Sequence, residues 1–288
     1  MKNLLITGSA GFIGSYCKKN FSKDRYNVFC ISSKNIGHLN TKNFLKKTYN
    51  KKIIKSFLKK NKINYVLLSH GSINHFDEFD KVFKDHFLFT KLIVECLDYK
   101  YLKKIIFLST GDEYGFVKKL PISESINCKP TSNYAIVKNM TSNYLINYFK
   151  DYNISVVVLR LFLIYGESQN IPRLVPLLKN NIINNKIFYA NSLIQKKDFC
   201  HVSDLYKSLL KILKNKKITK DIYNFGSGHI TNINYVIKVI EKKFNKKIKV
   251  KIDSSLNIKN SFSYYPNISK IKKTFGLKKF KKMSPDLV

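Results

Sequence analysis

The sequence predicts an α/β fold: a doubly wound parallel sheet joined to a smaller, interleaved C-terminal domain. Three observations carry this expectation. Short apolar runs ending in Ser, Thr, His or Gly alternate with longer amphipathic stretches along the first half of the chain. The first run, "NLLIT", passes directly into the glycine-rich turn "GSAGFIG". A later run, "IIFLSTGDEYGF" (residues 105 to 116), stops at Ser109-Thr110 and is followed at once by Asp112 and Glu113. In open α/β sheets, ligands gather beyond the carboxyl ends of such strands.

The N-terminal segment reads as a buried strand, Leu4 to Thr7, a tight turn, and a helix opening near Phe12. Gly8, Gly11 and Gly14 are spaced by three. They suit, in order, a tight turn, close approach of the backbone to a pyrophosphate, and close packing of helix on strand. With Phe12 and Ile13 at the helix start, they form a Rossmann-type dinucleotide turn whose amides supply an anion site. The second strand, within "YNVFCISSKN", is expected to end near Ser32, where NAD-binding folds place a carboxylate for the ribose hydroxyls. Here the positions are Ser32, Ser33 and Lys34. Two small polar residues and a cation suit a 2′-phosphate, so NADP is favoured and NAD is the alternative. Lys34 reads equally as one more surface lysine.

"YNKKIIKSFLKKNK" places Ile53, Ile54, Phe57 and Leu58 on one helix face. "INYVLLSHGS" is another buried strand, whose end at His70-Gly71 is expected to approach the adenine side of the cofactor. His70, His75 and His86 lack the clustered carboxylates or cysteines of a metal site and are expected to pack or to face solvent. Beyond the run at 105 to 116, Pro130 and a Ser/Asn cluster mark a loop, and a helix opens near Tyr134. Tyr134 and Lys138 are four residues apart and share a helix face. An ammonium beside a phenol lowers the phenol's pKa and makes an acid/base of it. In the C-terminal part, "TNINYVIKVIEKKF" puts Ile233, Val236, Ile237 and Ile240 on one face.

Composition narrows the remaining classes. The chain has 288 residues, 44% of them hydrophobic and 14% aromatic, enough for a substantial core. No stretch approaches the roughly 18 uninterrupted apolar residues of a membrane span. The first residues lack the apolar core of a signal peptide, which points to the cytoplasm. The five cysteines are widely spaced and form no Cys-x-x-Cys pair, so neither a disulfide framework nor a zinc site is expected. The net charge of +35 suggests polyanion binding at first sight. The lysines, however, recur along the whole chain and form no basic, aromatic-interleaved stripe, so nucleic acid is not an expected partner.

Together, "TGSAGFIG", "STGDEYG", "PISES", "NYAIVK", "RLFLIYG", "KKDFCHVSDL" and "IYNFGSGH" resemble, over nearly the whole chain, the extended short-chain dehydrogenases/reductases of the NAD(P)-dependent nucleotide-sugar epimerase/dehydratase group. The resemblance implies that Tyr134 is the acid/base acting on a sugar oxygen, normally at C4. It also implies that Lys138 binds the nicotinamide ribose and depresses the Tyr134 pKa, and that Thr110 hydrogen-bonds the same sugar oxygen. It implies a dinucleotide-binding domain over residues 1–160 and a substrate domain over 161–288, with about 195–215 returning to the first. It further implies a nucleotide-diphosphate sugar as substrate and a homodimer formed by helices near 84–98 and 133–150.

Departures from the group's pattern shape the reaction. The group's 4,6-dehydratases carry Glu two residues after the catalytic Thr, where this chain has the shorter Asp112. The string "GDEYG" resembles the 4-keto-6-deoxy sugar reductases more closely. Asp112 and Glu113 are therefore candidates for orienting substrate, as are Lys197, in place of the group's usual Arg, and Lys259, the nearest substitute for a C-terminal Arg. Leu163 stands where many relatives carry Asn. The leading expectation is an NADPH-dependent reductase of a 4-keto (6-deoxy) nucleotide sugar. A 4-epimerase or 4,6-dehydratase with tightly held NAD is the alternative. A non-catalytic, cofactor-sensing or polyanion-binding relative is the third class, and intact Thr110, Tyr134 and Lys138 argue against it.

Overall fold

Leu4, Leu5 and Ile6 are fully buried and begin the fold as strand β1 (Lys2–Thr7). A computed structural model describes residues 2–33, 43–169, 173–253 and 262–288. Lys34 and Lys259 lie outside these. After β1 come α1 (Phe12–Lys23), β2 (Tyr26–Ser32), β3 (Phe44–Lys46), α2 (Lys51–Lys60) and β4 (Tyr65–Leu68). There follow α3 (Phe79–Phe83), a π-helical segment Lys84–Leu88 that runs on into α4 (Phe89–Cys96), and β5 (Lys104–Thr110). A 3-10 turn (Gly111–Tyr114), α5 (Asn133–Tyr148) and β6 (Ser155–Leu161) come next. The later elements are β7 (Leu163–Tyr165), α6 (Leu174–Ile183), β8 (Phe188–Ala190), β9 (Lys196–His201), α7 (Val202–Lys214) and β10 (Lys220–Phe225). Last come β11 (Ile230–Asn232), α8 (Ile233–Phe244), β12 (Val250–Ile252), α9 (Ser269–Phe275) and a 3-10 turn (Pro285–Leu287).

Seven strands form one sheet in the order β10-β6-β5-β4-β1-β2-β3. The pairs β3–β2, β2–β1, β1–β4 and β4–β5 run parallel. The chain winds outward from β1 to β3, then returns to β4 on the other side of β1. That reversal creates the switch point at which open α/β sheets bind their ligands. The sheet's near-continuous apolar strands reflect burial on both faces.

The described chain divides into two compact units. One comprises residues 1–116, 127–160 and 210–223, and the other 117–126, 161–209 and 224–288. In the first, Leu5, Phe29, Ile31, Val66, Phe107 and Val158 of the sheet pack with Ile54, Leu58, Ile93 and Leu145 of the helices. Of the face expected on α2, Ile54 and Leu58 are buried and Phe57 is half-buried. Ile53 is exposed, because each helical step turns about 100° and carries it past the edge of the sheet. In the second unit, α6 and α8 enclose a core of Val175, Leu178, Ile182, Val236, Ile237 and Ile240 with Phe188 and Phe199.

One long-range contact had no local signal. Lys104 opens β5 with its side chain buried, and its Nζ donates to the carbonyls of Ile212 (2.6 Å) and Asn215 (2.7 Å) at the end of α7. Burial lowers its pKa to about 8. Those hydrogen bonds satisfy terminal carbonyls that a helix cannot satisfy itself.

Candidate active site

Gly8 follows β1 with φ +68, and its N–H donates to the Ile31 carbonyl at 2.9 Å. A Cβ at this position would fall 2.5 Å from the Ser69 carbonyl oxygen, so only glycine allows β1 and β4 to continue side by side here. A Cβ at Gly14 would strike the Gly8 carbonyl, which is how closely α1 packs on the turn. At Gly11 the nearest atom to a Cβ would be the Gly8 carbonyl, at 3.3 Å. From Phe12 onward α1 has no side-chain cap and no acid in its first turn. Its first amides, including that of Ile13, therefore remain available to an anion. A glycine cradle ahead of an uncapped helix at the switch point fits a dinucleotide pyrophosphate.

Ser32 closes β2 and is buried, whereas Ser33 is exposed. At the end of β4, the packing alternative holds for His70. The His70 side chain turns inward, its Nδ1 2.6 Å from Thr7 Oγ1 and its Nε2 3.1 Å from Thr90 Oγ1. Burial holds the imidazole well below its usual pKa. Gly71 follows with φ +102, and a Cβ there would run into the His86 ring.

The two acids after β5 part company within the 3-10 turn. Such a turn rotates about 120° per residue, so neighbouring side chains point in different directions. Thr110 caps the turn: its Oγ1 accepts the Asp112 N–H at 3.1 Å, and its hydroxyl donates to Asp112 Oδ2 at 3.0 Å. Asp112 keeps a side-chain exposure of 44%. Glu113 is wholly buried. It accepts from Ser109 and from Ser142 (2.8 Å) and lies 2.7 Å from Arg160 Nε. The Arg160 guanidinium in turn lies over the Tyr114 ring at 4.5 Å. Glu113 is thus held in the interior among Ser109, Ser142 and Arg160, whereas Asp112 keeps contact with solvent.

Tyr134 and Lys138 occupy the first turns of α5, which Ser132 caps by accepting the Ala135 N–H at 3.2 Å. Both side chains are buried. Lys138 Nζ donates to the Leu108 carbonyl at 2.7 Å and stands 5.8 Å from the centre of the Tyr134 ring. Burial lowers its pKa to about 7, against the opposing pull of the Glu113 charge.

Two histidines read as bystanders flank Tyr134 edge-on: His75 at 5.0 Å and 72°, and His86 at 5.5 Å and 70° between ring centres and planes. His86 sits in the π-helical segment and donates from Nε2 to the Ser72 carbonyl at 2.8 Å. Burial first, then the Lys138 charge, pushes its pKa down to about 3. His75 Nε2 lies 3.7 Å from Asp112 Oδ2, and its Nδ1 lies 3.4 Å from Ser132 Oγ. No periodicity marks His75, which belongs to an irregular loop. Its place became visible only once the loop was laid beside α5.

Thr110, Asp112, Tyr134 and Lys138 are thus gathered in the first unit. Lys197 belongs to the second unit, on β9, where its Nζ donates to the Phe262 carbonyl at 2.8 Å. Among the described residues, no three His, Cys, Asp or Glu side chains come together as a metal site would require. No described helix is long and apolar enough to cross a membrane.

The sequence is 27% identical over 270 residues to a dTDP-D-glucose 4,6-dehydratase of Dictyostelium discoideum, covering 83% of this chain and 62% of that protein. It is 34% identical over 149 residues to the dTDP-4-dehydro-6-deoxyglucose reductase of Escherichia coli, covering 50% of this chain and 47% of the other. The fold is similar to that of UDP-glucuronic acid 4-epimerase from Bacillus cereus, solved with UDP-glucuronic acid and NAD. That likeness has a TM-score of 0.84 at 23% identity, over 99% of this chain and 96% of that one. The sequence profile of the NAD dependent epimerase/dehydratase family matches residues 4–226, and the chain belongs to that family.

Proposed function

We propose that the protein reduces a 4-keto (6-deoxy) nucleotide sugar at C4, with NADPH as an exchangeable cosubstrate. The observation that carries this reading is the state of the two carboxylates after β5. Eliminating water from a sugar needs a free base beside the ketone. Here Glu113 is bound to Arg160 inside the protein, and Asp112 is one methylene shorter than the Glu that 4,6-dehydratases carry at that place, so it reaches less far toward the carbon beside the ketone. What is left for chemistry is Thr110, Tyr134 and Lys138, the set a ketone reduction needs.

In this account the Tyr134 phenol gives its proton to the ketone oxygen, a general-acid contribution of about 10²–10⁴ in rate. Thr110 turns its hydroxyl from Asp112 to the same oxygen and fixes its position. Lys138, held by the Leu108 carbonyl, binds the cofactor's ribose and favours the phenolate that Tyr134 becomes. The backbone of Gly8, Gly11, Phe12, Ile13 and Gly14 would hold the pyrophosphate. Ser32 and Ser33, which present no carboxylate, would accept an adenine ribose bearing a 2′-phosphate. When bound, the nicotinamide supplies the hydride. Lys197 is our candidate for the sugar nucleotide's diphosphate, as a point charge in place of a guanidinium fork.

A 4-epimerase with retained NAD is the second reading, favoured by the fold's likeness to the Bacillus cereus epimerase. The protein as purified separates the two. After denaturation, mass spectrometry should find no stoichiometric nicotinamide nucleotide, and titration of the untreated protein should show NADPH binding more tightly than NADH. Stoichiometric NAD(H) surviving purification would instead identify a cofactor recycled within each turnover, as an epimerase requires.

A further inference from the structure

We propose that the outer face of the ribbon formed by β8 and β12 is a docking surface for an anionic lipid bilayer. The two strands run parallel within the second unit, with Tyr189 beside Lys251 and Ala190 beside Ile252. Phe188 and Ala190 turn inward, onto the core they share with α6 and α8. Side chains alternate along a strand, so Ile187 and Tyr189 turn outward. The Phe188 N–H donates to the Lys249 carbonyl at 2.8 Å, which brings Lys249 level with Ile187. The outer face therefore carries an apolar row, Ile187 and Tyr189, beside a basic row, Lys249 and Lys251. The two rows come from distant parts of the chain, so no single stretch of sequence shows the pattern.

The apolar members stand well out in water. Ile187 is 43% exposed, Tyr189 49%, and Ile252 at the end of β12 56%. Ile183, at the end of α6, is 58% exposed, and the turn after it is closed by the Lys186 N–H on the Asn181 carbonyl at 2.9 Å. Lys186 itself is exposed between Ile183 and Ile187. Against Lys186, Lys249 and Lys251 the ribbon sets one acid, Asp253, just past β12. Glu241, near the end of α8, is taken up by Lys247 at 3.2 Å and by the Ile248 N–H at 3.0 Å.

That composition selects the partner. A second copy of the chain would bring the same lysines against these and be repelled. Nucleic acid needs stacking platforms, and Ile183, Ile187 and Ile252 present no π face. An anionic bilayer meets both halves of the surface at once. The lysines stay level with the lipid phosphates, and the isoleucine and tyrosine side chains enter the boundary beneath them. Tyrosine suits that depth because its ring is apolar and its hydroxyl polar. The net charge of +35 draws the whole molecule toward such a surface, and the ribbon decides which face lands.

Sedimentation with vesicles tests this on the full chain. Vesicles of equal parts phosphatidylcholine and phosphatidylserine should carry the wild type down at low salt, and vesicles of phosphatidylcholine alone should not. Lys249→Glu with Lys251→Glu should weaken binding by about 30-fold or more. Lys55→Glu with Lys59→Glu, the same charge change on the exposed side of α2, should weaken it far less. Ile187→Ser with Tyr189→Ser leaves the charge untouched and should weaken it by about tenfold. Equal losses in the two lysine pairs, or none in the serine pair, would reduce the effect to bulk charge and overturn the surface.

A second readout does not depend on how those variants fold. The chain contains no tryptophan, so Tyr189→Trp reports from the ribbon alone. Its emission should shift to the blue with the mixed vesicles and be quenched by lipids brominated in the acyl chain. A wild type that stayed in solution, or an emission that the vesicles left unmoved, would overturn the proposal. If RNA moved that emission and the vesicles did not, the face would belong to nucleic acid and the lipid assignment would fall.

Discussion

The Glu113 carboxylate meets Arg160 Nε at 2.7 Å with both side chains out of reach of solvent. β5 and β6 lie next to each other in the sheet, and this ion pair joins the turn that follows β5 to the end of β6. Removing one partner leaves the other charge buried and uncompensated. Glu113→Gln or Arg160→Met should each cost about 3–5 kcal/mol in urea unfolding, while replacing both with apolar residues should cost less than either alone. A loss under about 1 kcal/mol for Glu113→Gln would mean the pair is not closed in solution.

The buried histidines give folding a defined pH dependence. His86 titrates near 3 in the folded protein and His70 well below its ordinary value, whereas their ordinary value is 6.5. Between those limits the unfolded chain binds protons that the folded protein refuses, so stability falls as pH drops below about 6.5. His86 should contribute on the order of 3 kcal/mol to that loss by pH 4, and His70 adds to it in the same direction. His86→Asn should flatten the decline between pH 6.5 and 4, as measured by chemical denaturation across pH. An unchanged slope would place His86 in contact with water.

In the proposed reading, cofactor preference turns on the exposed end of β2. Ser33→Asp places a carboxylate where a 2′-phosphate would otherwise lie and where a free 2′-hydroxyl would be welcomed. NADPH affinity should fall by about tenfold or more, worth about 1.4 kcal/mol, and NADH affinity should rise. Isothermal titration of both nucleotides reads the change directly. NADH preference already present in the wild type would sink the NADP assignment.

A half-buried aromatic ladder runs across two helices of the first unit. Phe83 stacks on Phe79 and Phe87 at 5.6 and 5.0 Å, Phe87 meets Tyr144 at 5.2 Å, and Tyr144 meets Tyr148 at 5.4 Å. Phe89 and Phe149, on the same stretches of helix, lie instead in that unit's own core. We propose the ladder as the face of a homodimer. Light scattering should show a dimer for the wild type and a monomer for the Phe83→Glu, Phe87→Glu double variant. A monomeric wild type would refute the proposal.

Much of the site was legible because its signals are local. Gly8, Gly11 and Gly14 are constrained by backbone approach within a few residues. Tyr134 and Lys138 share a face by helix geometry alone, and the end of β5 announces itself by an apolar run meeting Ser109 and Thr110. What was not legible depends on contacts distant in sequence. Whether Asp112 or Glu113 turns inward is decided by Arg160 and Ser142, which lie 48 and 30 residues beyond Asp112 in the sequence. Lys104 carries no local signal, because its acceptors at Ile212 and Asn215 arrive from a returning segment. His75 carries no pattern at all, since an irregular loop delivers it to Tyr134.

The most direct test of the central claim follows hydrogen itself. The protein would be incubated with C4-deuterated NADPH and dTDP-4-dehydro-6-deoxyglucose, and the sugar product examined by NMR. Deuterium at sugar C4, with one NADP⁺ formed per sugar and a rate about 10²–10⁴ lower in Tyr134→Phe, is the result this account expects. Product without deuterium at C4, or a Tyr134→Phe protein of unaltered rate, would contradict it.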